Sequence, residues 1–295
     1  MKLKVISFSL RSLMARASLL TMGLCLALYS TSSDGMAQSR VVRLAVVIDL
    51  KESDLLADIL PDFEKQTGYQ VDVKSGTGTY IFDLARNGNA DLVISHYGHS
   101  EVESLVTEGL GLWPHTVFAN QSALLGPGSD PAHIRELSDA IEGFRRIAET
   151  KSPFLVNNLP VIKYLERVLW EGAGRPEKGD WYIDLDLQGQ KATEKAAEIG
   201  AYTLWGLNPF LRFQEQHNPD LQALLFNDAL LQQMMVSIVV NPKNVPGVNF
   251  EGAQAFQQYL IAPATQARLR AFRFPGFDYQ IWWASGLNND VAGIE

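Results

Sequence analysis

The sequence has 295 residues, of which 46% are hydrophobic and 20% are charged, and its formal net charge at pH 7 is −8. This composition is typical of a globular protein, and the acidic balance argues against a nucleic-acid partner, because such binding needs clustered Lys and Arg. Cys25 is the only cysteine, so the chain forms no internal disulfide.

The first 37 residues have the pattern of an export signal. Four basic residues precede an apolar run from Leu19 to Tyr29, and Gly35 and Ala37 are small residues suited to a cleavage site. The run is shorter than the roughly 20 residues that cross a bilayer, so we predict cleavage after Ala37 and export to the periplasm. Cleavage removes Cys25, four basic residues and one acidic residue, which takes the net charge from −8 to −11.

Strands and helices alternate in the next part of the chain. Val41–Ile48 is β-branched and apolar, as in a buried parallel strand, and Ser53 can cap a helix that ends at Gly68. Short strands are predicted at residues 69–73 and 90–95, with a helix between them that stops at Gly88. This alternation predicts an α/β fold with a parallel sheet and helices on both faces.

Two later strands are predicted to cross between lobes. Ser122–Gly128 ends in strong breakers, and Val236–Val240 is stopped by Asn241-Pro242. Two crossings place residues 38–124 with 239–295 in lobe I and residues 125–238 in lobe II. We expect helices near 250–260 and 264–272 to pack on lobe I. The aromatic tail with Trp282 is expected to pack on a lobe, and the alternative is an exposed patch for a partner.

Several motifs occur in the order that a known family has them. Gly200-Ala201-Tyr202-Thr203-Leu204 and the segment Asn241–Asn249 resemble segments of the tungstate-binding proteins of ABC transporters. Gly76-Thr77-Gly78, Asn87–His96 and Gly126–Ala132 are also similar to motifs of that family. The resemblance implies a monomeric, periplasmic binding protein of type II-like fold, with two hinge strands, a small-molecule or ionic ligand between the lobes and an ABC permease as partner.

The family's anion-binding motifs are changed in this chain. Where the family's first strand ends in Thr-Thr-Thr-Ser, this sequence has Val46-Val47-Ile48-Asp49. The second-lobe motif with an arginine falls near Val156–Tyr164, and another arginine-containing motif is replaced by Trp205–Phe210. A buried oxyanion needs hydrogen-bond donors, which Val and Ile lack. We therefore predict that the ligand is not tungstate or molybdate held in the family's manner.

The candidate ligand-binding residues lie where strands meet the expected cleft. They are Asp49, Ser53, Ser75, Gly76, Thr77, Gly78, Thr79, His96, Asn157, Asn158 and Trp205. Each has an ordinary structural alternative: Asp49 can pair with Lys51 or cap a turn, and the glycine loop and the Asn pair can be plain turns. Trp205 can serve in packing, or it can offer aromatic surface to an apolar ligand.

Other classes of site have weaker support. His96 and His99 have a His-x-x-His spacing, but a metal site needs a third converging ligand, so we predict no metal. The sequence contains no Gly-x-Ser-x-Gly elbow and no P-loop, and we predict neither enzymatic activity nor a cofactor. The favoured function is a substrate-binding protein of an ABC importer, and the alternative is a receptor-fold sensor or interaction subunit that has lost transport.

Overall fold

The computed structural model of the chain describes residues 40–217 and 219–285. The predicted export signal, residues 1–37, lies outside the described residues. Within the described ranges, every helix is too short or too polar to traverse a bilayer.

The described residues fold into short strands and helices. The strands are β1 Val41–Val47, β2 Gln70–Gly76, β3 Leu92–His96, β4 His115–Gly126, β5 Phe154–Leu155, β6 Tyr182–Ile183, β7 Thr203–Gly206, β8 Gln222–Leu225, β9 Gln232–Val239 and β10 Trp283–Ala284. The helices are α1 Ile48–Glu52, α2 Leu55–Thr67, α3 Tyr80–Arg86, α4 Ser100–Thr107, α5 Ala140–Glu149, α6 Pro160–Gly172, α7 Gln190–Ile199, α8 Leu207–His217, α9 Phe250–Ile261 and α10 Pro263–Ala271.

The three predicted N-terminal strands form the parallel part of the sheet. β1 lies between β2 and β3, with Val41 opposite Gln70 and Leu44 opposite Leu92. The predicted first strand ran through Ile48, whereas β1 ends at Val47 and Ile48 begins α1. Asp49 in the first turn of α1 favours this helical start, because a carboxylate complements the positive end of the backbone dipoles.

The prediction of a parallel sheet, made from the strands through residue 95, is confirmed for β1, β2 and β3. The rest of the main sheet is antiparallel, and β5 and β6 form a separate parallel pair. The order along the main path is β10-β4-β9-β3-β1-β2, and β7 and β8 also pair with β4. β9 runs antiparallel to β3, and β4 runs antiparallel to β9. Both strands connect the two lobes, and one leaves lobe I while the other returns, which forces opposite directions.

β4 is the first crossing between the lobes. Its first part, through Gln121, pairs with β9, and its second part, from Ser122, pairs with β7 and then β8. The crossing strand starts at His115, seven residues before the predicted start at Ser122. β9 is the return strand. The molecule is therefore a two-lobed α/β protein with two crossing strands, as predicted.

The buried side chains form separate hydrophobic clusters. The largest contains Phe63, Phe118 and Trp282 together with Phe210 from α8. Trp282 is fully buried and packs edge-on against Phe118, which confirms that the C-terminal tail packs on the body of the protein. A second cluster forms around Phe144 and Phe154, and a third joins α3 to β3 and β9. The exact lobe boundaries remain a prediction.

Glycines end two helices, one of which is α2, whose end at Gly68 was predicted from the sequence. Gly68 follows α2 with φ 73°, and Gly200 follows α7 with φ 65°. Both angles lie in the left-handed region, which glycine adopts without a Cβ penalty. These stops direct the chain into β2 and toward β7, and the far ends of both strands line a cleft.

Candidate functional site

A cleft of about 940 Å³ lies where strands end and helices begin. β1, β2, β3 and β7 contribute their last residues, while α1, α6, α7 and α8 contribute residues from or next to their first turns. The lining residues are Val47, Ile48, Asp49, Lys51, Glu52, Asp54, Gly76, Thr77, Gly78, His96, His99, Leu159, Val161, Ile162, Gly189, Gln190, Trp205, Gly206, Pro209, Arg212, Phe213, Gln216 and Gln233. This edge of an α/β sheet is a common place for ligands.

Two polar side chains of the cleft lining, Asp49 and His96, meet Asn120, which lies outside the lining, and we call these three residues the floor cluster. Asn120 Nδ2 donates a hydrogen bond to Asp49 Oδ2 at 3.0 Å. His96 Nε2 lies 3.5 Å from the same oxygen. The Asp49 side chain is 18% exposed and Asn120 is 3% exposed, so the cluster is largely withdrawn from water. Asp49 pairs with these two residues and not with Lys51, the partner considered from sequence.

The glycine loop lines one wall of the cleft. Gly76 ends β2, and a Cβ there would lie 2.3 Å from the Tyr80 ring, so only glycine fits without a shift. Gly78 has φ 59° and nothing within 4 Å of its Cβ position, so its backbone conformation is what favours glycine. Thr77 lies between them and also lines the cleft. The loop therefore presents backbone rather than bulky side chains to a ligand.

Ser53, Ser75 and Thr79 lie outside the cleft lining. Ser53 is fully buried, and its Oγ donates to Leu50 O and accepts from Leu55 N, so it joins α1 to α2. Ser75 pairs with Val46 in the β1–β2 ladder. Thr79 precedes α3, and its carbonyl accepts the first backbone bonds of that helix. All three hold the elements that carry the cleft residues.

The Asn pair lies behind the other wall. Asn157 is 2% exposed, and its Oδ1 accepts from Gly189 N at 2.8 Å and from Leu159 N at 3.3 Å. Asn158 donates to Asp184, which also binds Lys163. The hydrogen bonds from Lys163 and Asn158 lower the pKa of Asp184 to about 2. Neither Asn side chain lines the cleft, although Leu159 and Gly189 beside them do.

A second part of the cleft lining, which we call the apolar wall, is built from apolar side chains. Leu159, Val161 and Ile162 come from the start of α6, and Trp205 and Phe213 come from β7 and α8. Trp205 is 8% exposed and packs edge-on against Phe213 with ring centroids 6.2 Å apart. The structure thus gives Trp205 both roles considered from sequence, packing and part of the cleft wall.

Sequence reasoning missed Asn120 and Arg212. Asn120 lies within a long buried strand, and a polar residue in the run Val117–Leu125 is the signal that marks it. Arg212 binds Asp54, Glu215 and the carbonyl of Glu52. These hydrogen bonds, led by that to Asp54, raise the pKa of Arg212. The Arg212 guanidinium is therefore ion-paired with the neighbouring carboxylates of Asp54 and Glu215.

The histidines do not assemble a metal site. Among residues 40–217 and 219–285, no group of three or more His, Cys, Asp or Glu side chains is arranged to hold a metal ion. His99 instead caps α4, because its Nδ1 accepts from Glu101 N at 3.2 Å, and its ring packs on Phe82.

Comparisons with known proteins agree with this architecture. Residues 43–153 match the family described as bacterial extracellular solute-binding protein. A Haloferax volcanii protein, described by name as an anion-binding protein of an ABC transporter, is 30% identical over 242 residues, covering 80% of this chain and 70% of its own. The tungstate-binding protein TupA of Peptoclostridium acidaminophilum is 28% identical over 228 residues, covering 76% and 78%. The solved structure of the tungstate-binding protein TupA from Desulfovibrio alaskensis G20 superposes with a TM-score of 0.72 at 24% identity, over 83% of this chain and 98% of that one.

The fold and the cleft define a two-lobed solute-binding protein. The chain belongs to the family of bacterial extracellular solute-binding proteins, among relatives of the tungstate-binding type.

Proposed function

We propose that this protein is the exported receptor of an ABC importer and that it binds one small solute in the cleft between its lobes. The observation that carries the proposal is the cleft itself, whose walls come from segments on both sides of the two crossing strands. A ligand that contacts both walls at once binds the closed state of a hinged receptor more tightly, and so it favours closure. Names of the relatives, which refer to ABC transport, support the same role.

The relatives' names also give anions, and tungstate in particular, as their ligands. For this chain we propose a different mode of binding. Val46 is fully buried, and Val47 and Ile48 line the cleft with apolar side chains. The charges of the lining are three carboxylates against Lys51 and Arg212, and Arg212 is paired. Thr77 supplies one hydroxyl donor in the lining, but the apolar side chains of Val47 and Ile48 supply none, and Asp49 would repel an oxyanion that has lost its hydrogen bonds to water.

A thermal-shift screen tests the receptor function, because a ligand that binds only the native state raises the melting temperature. The panel comprises oxyanions, amino acids, organic acids, amines and metal ions. We expect at least one organic compound to stabilise the protein saturably and tungstate to have no such effect. Calorimetric binding of tungstate with a nanomolar dissociation constant, about −12 kcal/mol, would contradict the proposed mode of binding. A panel without any hit would favour the sensor or interaction subunit.

We also propose that the mature protein starts near Gln38 and is a periplasmic monomer without enzymatic activity. The basic start and short apolar run of residues 1–37 support export. Mass spectrometry of the protein from the periplasmic fraction should give an N-terminus near Gln38. Recovery of the full-length chain in the inner membrane would contradict this.

A further inference from the structure

The floor cluster contains a buried acceptor that lacks a donor. Because Asn120 Nδ2 donates to the Asp49 carboxylate, the orientation of the amide is determined, and Asn120 Oδ1 is left as an acceptor. This oxygen is buried and has no hydrogen-bond partner among residues 40–217 and 219–285. Such an atom costs about 1–3 kcal/mol when it stays unpaired, so it indicates where a donor belongs.

The Asp49 carboxylate is also incompletely paired. Its Oδ2 receives the Asn120 hydrogen bond, and among the described residues no hydrogen bond reaches its Oδ1. Arg212, a cation of the same cleft lining, is bound to Asp54 and Glu215. His96 Nε2 lies 3.5 Å away and makes no hydrogen bond within the described part of the chain. A largely buried carboxylate that has one oxygen without a hydrogen bond and no arginine bound to it favours a cationic partner.

The rest of the cleft is suited to an apolar body. Ile48 is 41% exposed and Val161 is 47% exposed, and both line the cleft with Leu159 and Phe213. Large apolar side chains left open to water are stabilised when a ligand covers them. A compact inorganic anion would cover little of this wall, whereas an organic skeleton can contact it.

From these three observations we infer that the cleft takes an organic ammonium ligand. Its N–H groups donate to Asp49 Oδ1, which belongs to the cleft lining, and its positive charge offsets the Asp49 carboxylate. Its hydrocarbon part lies against Ile48, Val161 and Phe213. An ammonium group has three donors and no acceptor, which complements a carboxylate whose neighbour Asn120 also carries an unpaired acceptor. This inference rests on the proposed function, because it names the ligand class of the same cleft.

A matched ligand series tests the inference. The mature protein is titrated by thermal shift and calorimetry with isopentylamine, cyclohexylmethylamine and 2-phenylethylamine, and with the alcohol and the carboxylate of each carbon skeleton. Tungstate is included as the inorganic anion. We expect at least one amine to bind saturably and more tightly than its alcohol and its carboxylate. If no amine exceeds both of its matched compounds, the inference is overturned.

Variants of the protein separate the floor cluster from general charge effects. Asp49→Asn should weaken amine binding by about thirtyfold or more, since it leaves the ammonium without its countercharge. Glu198→Gln removes one negative charge outside the cleft lining and should leave amine affinity within about twofold of wild type, because exposed charges interact weakly through water. Equal amine affinity in Asp49→Asn and wild type would overturn the inference.

The outcome distinguishes this inference from the receptor function. Saturable binding of a carboxylate or of tungstate, without amine binding, would overturn the ammonium assignment and leave a cleft that binds a solute. Absence of binding by every compound, in this series and in the broader screen, would count against both.

Discussion

At the scale of single residues, Asp91 explains the structural role of the Asn87–His96 motif, one of those that resemble the tungstate-binding family. Its carboxylate is fully buried and accepts from Arg43 N at 2.7 Å, from the Arg43 guanidinium, and from Asn249 N at 2.8 Å. Asn249 in turn donates to Val41 O. The carboxylate therefore joins β1, β3 and the segment that leads into α9.

Replacement of Asp91 should destabilise the fold. In Asp91→Ala the backbone donors and Arg43 lose their acceptor, and we expect a loss of about 3 kcal/mol or more in the free energy of unfolding. Urea denaturation measures this. Glu198→Ala is the control, because Glu198 is 67% exposed in its ion pair with Lys195, and it should change stability by less than about 0.5 kcal/mol. Similar stability of the two variants would contradict this account.

Tyr202 connects two more of the motifs. Its hydroxyl donates to Asp130 Oδ1 at 2.7 Å and accepts from Ala132 N at 2.8 Å. Burial raises the pKa of Tyr202 above its usual range, so the hydroxyl stays protonated at neutral pH and can donate. The Gly-Ala-Tyr-Thr-Leu segment and the Gly126–Ala132 segment are thus held together within the fold, and Tyr202 lies outside the cleft lining.

Removal of that hydroxyl should lower stability by about 1–3 kcal/mol in Tyr202→Phe, because Ala132 N is left buried without an acceptor. Ligand affinity, measured where both proteins are fully folded, should be unchanged. Tyr97→Phe is the matched control, since Tyr97 is 68% exposed. Chemical denaturation of both variants checks the expectation. If Tyr202→Phe has the same free energy of unfolding as wild type, the hydroxyl contributes nothing to stability.

These residues explain how far sequence reasoning reached. Motif order predicted the fold well, because Asp91, Asn249 and Tyr202 make contacts that depend on backbone placement more than on the ligand. The floor cluster was only partly predictable. Asp49 and His96 follow strands, which is a visible position, whereas Asn120 lies inside a crossing strand whose pairing depends on distant segments.

At the scale of elements, Asn157 fixes two helix starts relative to each other. Its side chain binds both Leu159, which precedes α6, and Gly189, which precedes α7. Both of those residues line the cleft. The position of the apolar wall therefore depends on a side chain that does not line the cleft itself.

Replacement of Asn157 should affect the wall indirectly. We expect Asn157→Ala to cost about 1–3 kcal/mol of stability, because two partly buried backbone N–H groups lose their acceptor, and to weaken the binding of any cleft ligand as well. Asn158→Ala should cost less than about 1 kcal/mol, since its partners Asp184 and Lys163 are both more than 40% exposed. Denaturation and ligand-binding measurements on both variants distinguish the effect of Asn157→Ala from that of Asn158→Ala. Equal losses in both variants would refute the assignment of Asn157 as a support of the wall.

Strand direction was the element-level feature that the sequence did not reveal. Strand–helix alternation through residue 96 correctly predicted parallel pairing of β1, β2 and β3. β4 and β9 are long and apolar, as a parallel strand would be, but their direction is determined by the path between the lobes. Residue patterns alone do not encode that path.

At the scale of the whole molecule, the two crossing strands define where motion is expected. Pairing along β4 changes from β9 to β7 between Gln121 and Ser122, and the β4–β8 register shifts between Leu124 and Leu125. Changes of partner and bulges are places where a strand can bend with little loss of hydrogen bonds. Closure about this region would bring α6 toward α1 across the cleft.

Spin-label distances test whether ligand binding closes the cleft. The predicted mature chain has no cysteine, so Tyr97→Cys with Tyr164→Cys introduces one label beside each wall, at positions that are 68% and 61% exposed and outside the cleft lining. We expect a compound that stabilises the protein in the screen to shift the distance distribution to shorter values. Labels at Tyr97 and Tyr80, which are on the same side of the crossings, should keep their distance because no hinge separates them. An unchanged distribution between the walls at saturation would mean that the ligand binds without closure, and a shift in both pairs would place the motion within lobe I instead of at the crossing strands.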